Sequence, residues 1–296
     1  MENAPTKSGF VALVGRPNAG KSTLMNWLLG ESITMVSHKA NATRKRINAI
    51  VMHENNQIIF VDTPGIHKQE KLLNQFMLEE ALKAIGDADL VLFLSPVNDG
   101  VKYYKEFLEL NKHKRPHMVL LTKIDQYPKD KLFKTMQAFT EFQEEFLSLI
   151  PVSSVKNIGA KDLLNEICKY IPESPFLYDP DDLTTENLRD IYREFIREAI
   201  FENISDEIPY ESDVMIQQVE EGAKLEKIRA TIIVEKPTQK GMMIGKNGAA
   251  IKRIGQDARV KIENLIQKKV YLDLMVVIKK GWTKDKKALN ELGYEL

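Results

Sequence analysis

The feature that most constrains this chain is a glycine-rich turn near its N-terminus, GRPNAGKS, which fits the pattern G-x-x-x-x-G-K-[ST]. The turn follows an apolar run at residues 10–14 and precedes a helical pattern at 21–29, which is the context that gives this motif its meaning. Glycines let successive backbone N–H groups point inward, and the start of the helix adds the positive end of its dipole. The turn therefore predicts a phosphate-binding site.

Two side chains of the turn supply more than backbone hydrogen bonds. Lys21 brings a full positive charge toward the β- and γ-phosphates of a nucleotide, and the Ser22 hydroxyl is suited to ligate Mg²⁺. We expect a nucleotide to contact every residue of the turn and the residue after it, namely Gly15, Arg16, Pro17, Asn18, Ala19, Gly20, Lys21, Ser22 and Thr23.

Strand-length apolar runs alternate with helical patterns beyond this turn. The further runs lie at residues 58–61, 90–94, 117–121 and 149–152. Alternation of this kind predicts an α/β fold, with a mostly parallel six-stranded sheet that has helices on both faces. Residues 46–53 are separated from the next run by a hairpin-length turn, so we expect one antiparallel edge strand.

Three further motifs close strands of this predicted sheet, at the edge where α/β proteins bind ligands. The first is Asp62, Thr63, Pro64 and Gly65. A carboxylate at Asp62 is placed to hold Mg²⁺ through water, and Gly65 lets its backbone N–H approach a γ-phosphate.

The other two motifs point to the base of the nucleotide. Thr122, Lys123 and Asp125 close the strand at 117–121, and Ser153, Ser154 and Val155 close the strand at 149–152. A carboxylate at Asp125 accepts hydrogen bonds from both N1–H and the 2-amino group of guanine, whereas adenine offers no such pair. Backbone N–H groups of the last motif are placed to meet guanine O6. The base is therefore predicted to be guanine.

The C-terminal part carries a separate signal. Residues 226–296 hold 16 lysines and arginines against 8 acidic residues, although the whole chain has 42 of each. Such asymmetry favours a polyanionic partner, and a solvated basic surface is the alternative. Within this part lies a glycine turn of the G-x-x-G form, followed by two basic residues: Ile244, Gly245, Lys246, Asn247, Gly248, Lys252 and Arg253.

KH domains use a G-x-x-G turn to hold four nucleotides of single-stranded nucleic acid, with basic residues neutralising the phosphates. A connection between two helices with glycine caps is the alternative interpretation. The order of patterns from residue 187, helix–strand–strand–helix–turn–helix–strand, matches the bacterial form of KH domain. We therefore predict an α+β type II KH domain that binds RNA.

The four nucleotide motifs resemble those of the Ras-like GTPases. Nearly all 296 residues, with the C-terminal module, are similar to the bacterial ribosome-assembly GTPases of that superfamily. The resemblance implies a GTPase domain at residues 1–175 and a KH domain with a basic tail at 187–296. Prolines and acidic residues near 172–182 indicate the domain boundary, and we place the linker at 176–186. We expect the acidic residues of 173–213 to form a solvated helix face and the linker.

The resemblance also implies roles for single residues. GTP and GDP are the implied ligands, with Mg²⁺ held by Ser22, Thr43 and Asp62. Switch loops are implied at residues 31–45 and 67–73. The implied catalytic set is Lys21, Thr43, Gly65 and Asn18.

Three positions depart from the pattern of the superfamily. Thr122 stands where asparagine is usual, so guanine affinity is expected to fall while Asp125 preserves the preference for guanine. Ser154 stands where alanine is usual and leaves the backbone contact intact. Ile66 stands where a glutamine orients the attacking water, so hydrolysis should be slow without a partner. Members with an apolar residue there use an asparagine matching Asn18 to ligate K⁺, and a simple turn residue is the alternative.

The partners implied by the resemblance are the 3′ end of 16S ribosomal RNA and the 30S subunit, and we expect a monomer. A nucleotide-gated RNA-binding scaffold with negligible hydrolysis is the alternative function, and an ATP-dependent helicase is a third that Asp125 disfavours. The sequence has no run of 18 apolar residues, no signal-peptide core and a single cysteine, Cys168. A cytoplasmic protein is expected, and the residues leave open whether it associates peripherally with the inner membrane.

Overall fold

The protein is described by a computed structural model covering residues 5–37, 43–65, 72–205 and 208–294. These residues form two compact units. The first unit contains residues 5–33, 43–65 and 77–185, and the second contains residues 34–37, 72–76 and those from 186 onward. Within the described ranges, no helix is both long enough and apolar enough to cross a bilayer.

A six-stranded sheet forms the centre of the first unit. Its strands are β1 (Lys7–Val14), β2 (Ile47–His53), β3 (Asn56–Asp62), β4 (Leu90–Pro96), β5 (His117–Thr122) and β6 (Leu149–Pro151). They lie in the order β2-β3-β1-β4-β5-β6, and only β2 runs antiparallel to its neighbour. The predicted α/β fold with one antiparallel edge strand is confirmed.

Helices cover both faces of this sheet. Those described in the first unit are α1 (Lys21–Leu29), α2 (Leu72–Asp87, from residue 77 onward), α3 (Lys102–Leu110), α4 (Lys129–Phe139) and α5 (Ala160–Tyr170). In β1, Val11 and Leu13 belong to one apolar cluster, whereas Ala12 and Val14 belong to the other. All four are fully buried, which is why a strand of this sheet is apolar throughout.

The segment of residues 172–185 is tied to strands β2 and β3 of the first unit. The buried Gln57 of β3 accepts hydrogen bonds through Oε1 from the backbone N–H groups of Leu177 and Tyr178, at 2.8 and 3.1 Å. The Ile50 N–H of β2 donates to Leu183 O at 2.9 Å. Turn-prone composition does not reveal this attachment, because the partners lie more than a hundred residues away in sequence.

The second unit has the order of elements expected for a type II KH domain. Its elements from residue 186 are α6 (Leu188–Asn203), β7 (Ser212–Glu220), β8 (Leu225–Val234), α7 (Pro237–Ile244), α8 (Ala249–Ile266), β9 (Lys269–Ile278) and α9 (Lys286–Glu291). Strand β8 pairs antiparallel with β7 and parallel with β9. Apolar side chains of α6 and α8, among them Ile196 and Ile254, pack on the sheet. This part of the predicted fold is confirmed as well.

The expectation of a solvated acidic face in residues 173–213 is wrong for α6. The acidic residues Glu194 and Glu198 of α6 and Asp213 of β7 are buried, as are Arg193 and Arg197 of α6. Arg193 Nη2 donates to both carboxylate oxygens of Asp213 at 2.9 Å, and Arg197 Nη1 donates to Glu194 Oε1 at 2.8 Å. Buried charges are tolerated only when they are paired in this way, and the arginines that pair them lie on the same helix. Counting charge along the sequence does not show that pairing.

Candidate nucleotide-binding site and nucleic-acid interface

The turn between β1 and α1 has a backbone that only particular residues can adopt. Gly20 has φ of 101° and Asn18 has φ of 62°, both in the left-handed region. At Gly15 the constraint is space, because a Cβ atom there would lie 2.8 Å from the carbonyl oxygen of Leu94. The predicted need for glycine at both ends of the turn therefore has two different physical causes.

Lys21 is buried beneath this turn. Its Nζ donates to the carbonyl oxygens of Gly15 and Arg16, each at 3.2 Å. Burial lowers the pKa of Lys21 to about 8, although the charge of Asp62 acts to raise it. A lysine held by two carbonyl groups is in position to add its charge to a bound phosphate, which is the role predicted for it.

The three residues predicted to hold Mg²⁺ meet at one point. Asp62 Oδ2 accepts hydrogen bonds from Ser22 Oγ at 2.6 Å and from Thr43 Oγ1 at 3.3 Å, and the two hydroxyl oxygens are 3.1 Å apart. The other carboxylate oxygen, Asp62 Oδ1, is buried and has no hydrogen-bond partner in the described residues. Burial raises the pKa of Asp62, and Lys21 and the two hydroxyl groups oppose this.

Such a donor set fits Mg²⁺, which takes oxygen ligands and is commonly held by one carboxylate, hydroxyl groups and the phosphates of a nucleotide. A buried carboxylate oxygen without a partner is costly unless an ion or water meets it. Ser22, Thr43 and Asp62 are therefore the residues that would hold the metal.

Gly65 lies against the phosphate-binding turn. A Cβ atom at Gly65 would lie 2.7 Å from Pro17, so only glycine permits this approach. The neighbouring Thr63 is held by a hydrogen bond from its Oγ1 to Leu13 O at 2.7 Å. Ile66 lies outside the described residues, as do residues 38–42 and 67–71 of the predicted switch loops.

Thr122 ties the base-binding loop to the phosphate-binding turn. Its Oγ1 donates to Ala19 O at 2.8 Å, and both residues are buried. Threonine lacks the side-chain amide of the usual asparagine, and its hydroxyl forms the link to the phosphate-binding turn instead.

Asp125 is oriented by the last of the nucleotide motifs. Ser153 Oγ donates to Asp125 Oδ1 at 2.6 Å, and the Lys156 N–H donates to that same hydroxyl oxygen at 3.1 Å. Val155, whose motif is predicted to meet guanine O6 through backbone N–H groups, is 73% exposed. Lys123 lies beside them. Burial lowers the pKa of Lys123, and the positive charge of Arg16 adds to this effect. The predicted guanine-reading residues are therefore brought together at the ends of β5 and β6.

The glycine turn of the second unit joins α7 to α8. Gly245, Asn247 and Gly248 have φ of 73°, 53° and 76°, so three of its four residues have a positive φ, which favours glycine and asparagine. A Cβ atom at Gly245 would lie 2.8 Å from the backbone nitrogen of Ala250. Lys246 and Asn247 are exposed at the tip. The turn therefore presents its backbone and one lysine to solvent.

A groove of about 370 Å³ runs between α8 and β9. Lys252, Gln256 and Arg259 of α8 line one side, and Tyr271, which is 60% exposed, lines the other. Of these four, the sequence prediction included Lys252 alone; Arg253 is exposed but does not line the groove. Gln256 lies four residues and Arg259 seven residues after Lys252, so helical spacing would have placed both on the same helix face as Lys252.

This fold and these sites define a P-loop GTPase that carries a KH domain. A family model described as "50S ribosome-binding GTPase" matches residues 10–123, and a KH domain model matches residues 207–283. The chain is 50% identical over 289 residues to GTPase Era of Campylobacter lari, covering 98% of this chain and 99% of that one. It is also 50% identical over 294 residues to GTPase Era of Helicobacter pylori strain G27, with 98% and 97% covered.

Two solved structures match over 98% of this chain and 100% of theirs, with a TM-score of 0.94 and 32% identity. One is a variant of Aquifex aeolicus Era bound to GDP·AlF4−, and the other is Era in complex with MgGDPNP and nucleotides 1506–1542 of 16S ribosomal RNA. The chain belongs to the Era family of GTPases.

Asp125→Asn should exchange the base preference of the site. Loss of the carboxylate leaves guanine N1–H and the 2-amino group without their acceptor, so GDP affinity should fall by about a hundredfold. Xanthine presents an oxygen at position 2, so XDP affinity should rise. Competition calorimetry with GDP and XDP measures both. Asp130→Asn, at an exposed position in the first turn of α4, is the matched control. Unchanged GDP preference in Asp125→Asn would contradict the assignment.

Thr122→Val should speed the release of nucleotide. The change removes the hydroxyl donor and leaves Ala19 O buried without a partner, at a cost of about 1–3 kcal/mol. We expect GDP to dissociate about tenfold faster, measured with a fluorescent GDP analogue. Thr122→Ser keeps the hydroxyl and should dissociate GDP at nearly the wild-type rate. Equal rates for wild type and Thr122→Val would show that the hydrogen bond to Ala19 does not support the bound nucleotide.

Proposed function

We propose that this chain is a Mg²⁺-dependent switch that hydrolyses GTP and binds the 3′ end of 16S ribosomal RNA during assembly of the 30S subunit. The observation that carries the nucleotide part is the meeting of Ser22, Thr43 and Asp62 beside Lys21. The Era relatives, one of them in complex with MgGDPNP and a 16S RNA fragment, support both parts.

Hydrolysis transfers the γ-phosphoryl group of GTP to water and releases GDP and inorganic phosphate. Bound Mg²⁺ supplies positive charge to the phosphate oxygens. Lys21 and the N–H groups of the phosphate-binding turn stabilise the charge that shifts toward the leaving GDP. Gly65 brings its N–H close to the turn, where it can meet the γ-phosphate. Ile66 has no group to orient water, so turnover should be slow until a partner acts.

The second candidate function is an RNA-binding scaffold without catalysis, which the apolar Ile66 favours. The two functions differ in whether GTP is hydrolysed. Single-turnover assays with and without the RNA fragment measure the rate of GTP cleavage directly. A slow rate that rises with RNA supports the GTPase switch. Cleavage no faster than that of GTP in buffer, in both conditions, supports the scaffold.

The RNA part rests on the exposed glycine turn and the adjoining groove. Lys246 stands at the tip of the turn, and Lys252 and Arg259 line the groove, so phosphates would meet three positive charges. Tyr271 offers an exposed ring for a base to stack on, and such stacking is worth about 1–3 kcal/mol per base. Single-stranded RNA fits this combination of charge and aromatic surface.

Lys252→Ala and Tyr271→Ala should weaken RNA binding in different ways. Loss of the Lys252 charge should reduce the slope of log affinity against log salt by about one. Loss of the Tyr271 ring should lower the affinity about tenfold or more without changing that slope. Fluorescence anisotropy of a labelled 16S 3′-end oligonucleotide measures both quantities. Lys134→Ala, at an exposed lysine on α4 of the first unit, is the control, and equal losses in all three variants would contradict the groove assignment.

Asn18 is assigned to a K⁺ ion that assists hydrolysis. The left-handed backbone at Asn18 also favours asparagine without any ion, and the choice of cation separates the two explanations. We expect the single-turnover rate to be several-fold higher in K⁺ than in Na⁺ buffer, and the difference to vanish in Asn18→Gly, which tolerates the left-handed backbone and removes the side-chain oxygen. Equal wild-type rates in the two buffers would leave Asn18 with its backbone role alone.

The same proposal places the chain in the cytoplasm as a monomer, with any membrane attachment peripheral. Its support is the likeness to the ribosome-assembly GTPases over nearly the whole chain. Analytical ultracentrifugation tests the oligomeric state, and flotation with anionic vesicles tests the attachment.

A further inference from the structure

Arg16, at the second position of the phosphate-binding turn, directs its charge to another part of the protein. Its Nη2 donates to Asp99 Oδ1 at 2.7 Å and its Nε donates to Asp99 Oδ2, so the pair is bidentate. Its Nη1 donates to Pro17 O at 3.2 Å. The Asp99 side chain is 5% exposed and that of Arg16 is 28% exposed. A bidentate pair that is this well buried is geometrically specific.

Asp99 is itself firmly placed. It lies in the turn between β4 and α3, where its N–H donates to Pro96 O at 2.9 Å and Gly100 follows with φ of 59°. Tyr103, in the first turn of α3, faces the guanidinium, whose Cζ lies 5.5 Å from the ring centroid. Arg16 is therefore held by a rigid turn on one side and by an aromatic ring on another.

The backbone of Arg16 contacts Lys21, the lysine of the phosphate-binding turn. Its carbonyl oxygen and that of Gly15 accept the two hydrogen bonds from Lys21 Nζ. Anything that fixes Arg16 therefore fixes the acceptors that aim Lys21. Because phosphoryl transfer depends on positioning, a shift of about 1 Å in such a group can cost about a hundredfold in rate.

We propose that Asp99 is a positioning residue for GTP hydrolysis, which through its bidentate pair with Arg16 holds the phosphate-binding turn in the form that aims Lys21 at the nucleotide. The inference rests on the proposed GTPase function. In this proposal the Arg16 side chain binds Asp99, and only the Arg16 backbone contacts the nucleotide.

Asp99 also balances charge in this part of the site. Burial, and next the charge of Arg16, lowers the pKa of Lys123, and Asp99 acts in the opposite direction. Without Asp99, the guanidinium would stand uncompensated beside Lys21 and Lys123. The alternative role for Arg16 is that of a direct phosphate ligand, for which its guanidinium would have to leave Asp99. Substitution of Arg16 should then raise the Kd for GDP and leave the hydrolysis rate unchanged.

The test compares Asp99→Asn, Arg16→Lys and the double variant in single-turnover hydrolysis and in GDP binding by calorimetry. We expect each single variant to lower the hydrolysis rate about tenfold and to change the Kd for GDP by less than about threefold. The double variant should be no slower than either, since both changes break one interaction. Asp99→Glu, which keeps the carboxylate, should recover most of the rate.

Glu106→Gln is the matched control, because Glu106 is an exposed acid on α3 that lines the same small cleft as Arg16 without pairing with it. It should hydrolyse GTP at the wild-type rate. A raised Kd with an unchanged rate in Arg16→Lys would make Arg16 a phosphate ligand and overturn the proposal. Additive losses, or an unaltered rate in Asp99→Asn, would overturn it as well. Wild type without any hydrolysis would instead refute the proposed GTPase function.

Discussion

A buried carboxylate that lacks partners for one of its oxygens is the constraint on which the nucleotide site depends. Asp62 ends β3 with Oδ1 enclosed and unpaired in the described residues, while Ser22 and Thr43 donate to Oδ2. Burial of an isolated carboxylate costs several kcal/mol unless positive charge compensates it. Lys21 supplies part of that charge, and a divalent cation bridging to phosphates would supply the rest. The site is therefore built for a metal and a nucleotide together.

The phosphate-binding turn is supported by residues that follow three other strands of the sheet. Thr122 reaches it from the end of β5, Asp99 from the turn after β4, and Gly65 from the end of β3. These strands end at the same edge of the sheet, so one rigid scaffold fixes the turn from several sides. Preorganisation of this kind lets backbone N–H groups stabilise charge without rearranging during the reaction.

Residues that act through local spacing could be predicted from the sequence, and residues that act through distant pairing could not. The turn around Lys21 and the G-x-x-G turn have fixed spacings, and the alternating apolar runs predicted the sheet. Asp99 is not part of any such pattern in the sequence, because its partner Arg16 lies 83 residues earlier. Gln57 and Asp213 were missed for the same reason: a buried polar residue shows its role only when the fold brings its partner to it.

We expect the nucleotide and Mg²⁺ to bind this site as one unit through Asp62. Calorimetric titration of a non-hydrolysable GTP analogue into wild type and Asp62→Asn, each in Mg²⁺ and in EDTA, tests it most directly. Mg²⁺ should strengthen binding to wild type by at least about tenfold, and this gain should disappear in Asp62→Asn. Equal affinity of wild type in Mg²⁺ and in EDTA would contradict it.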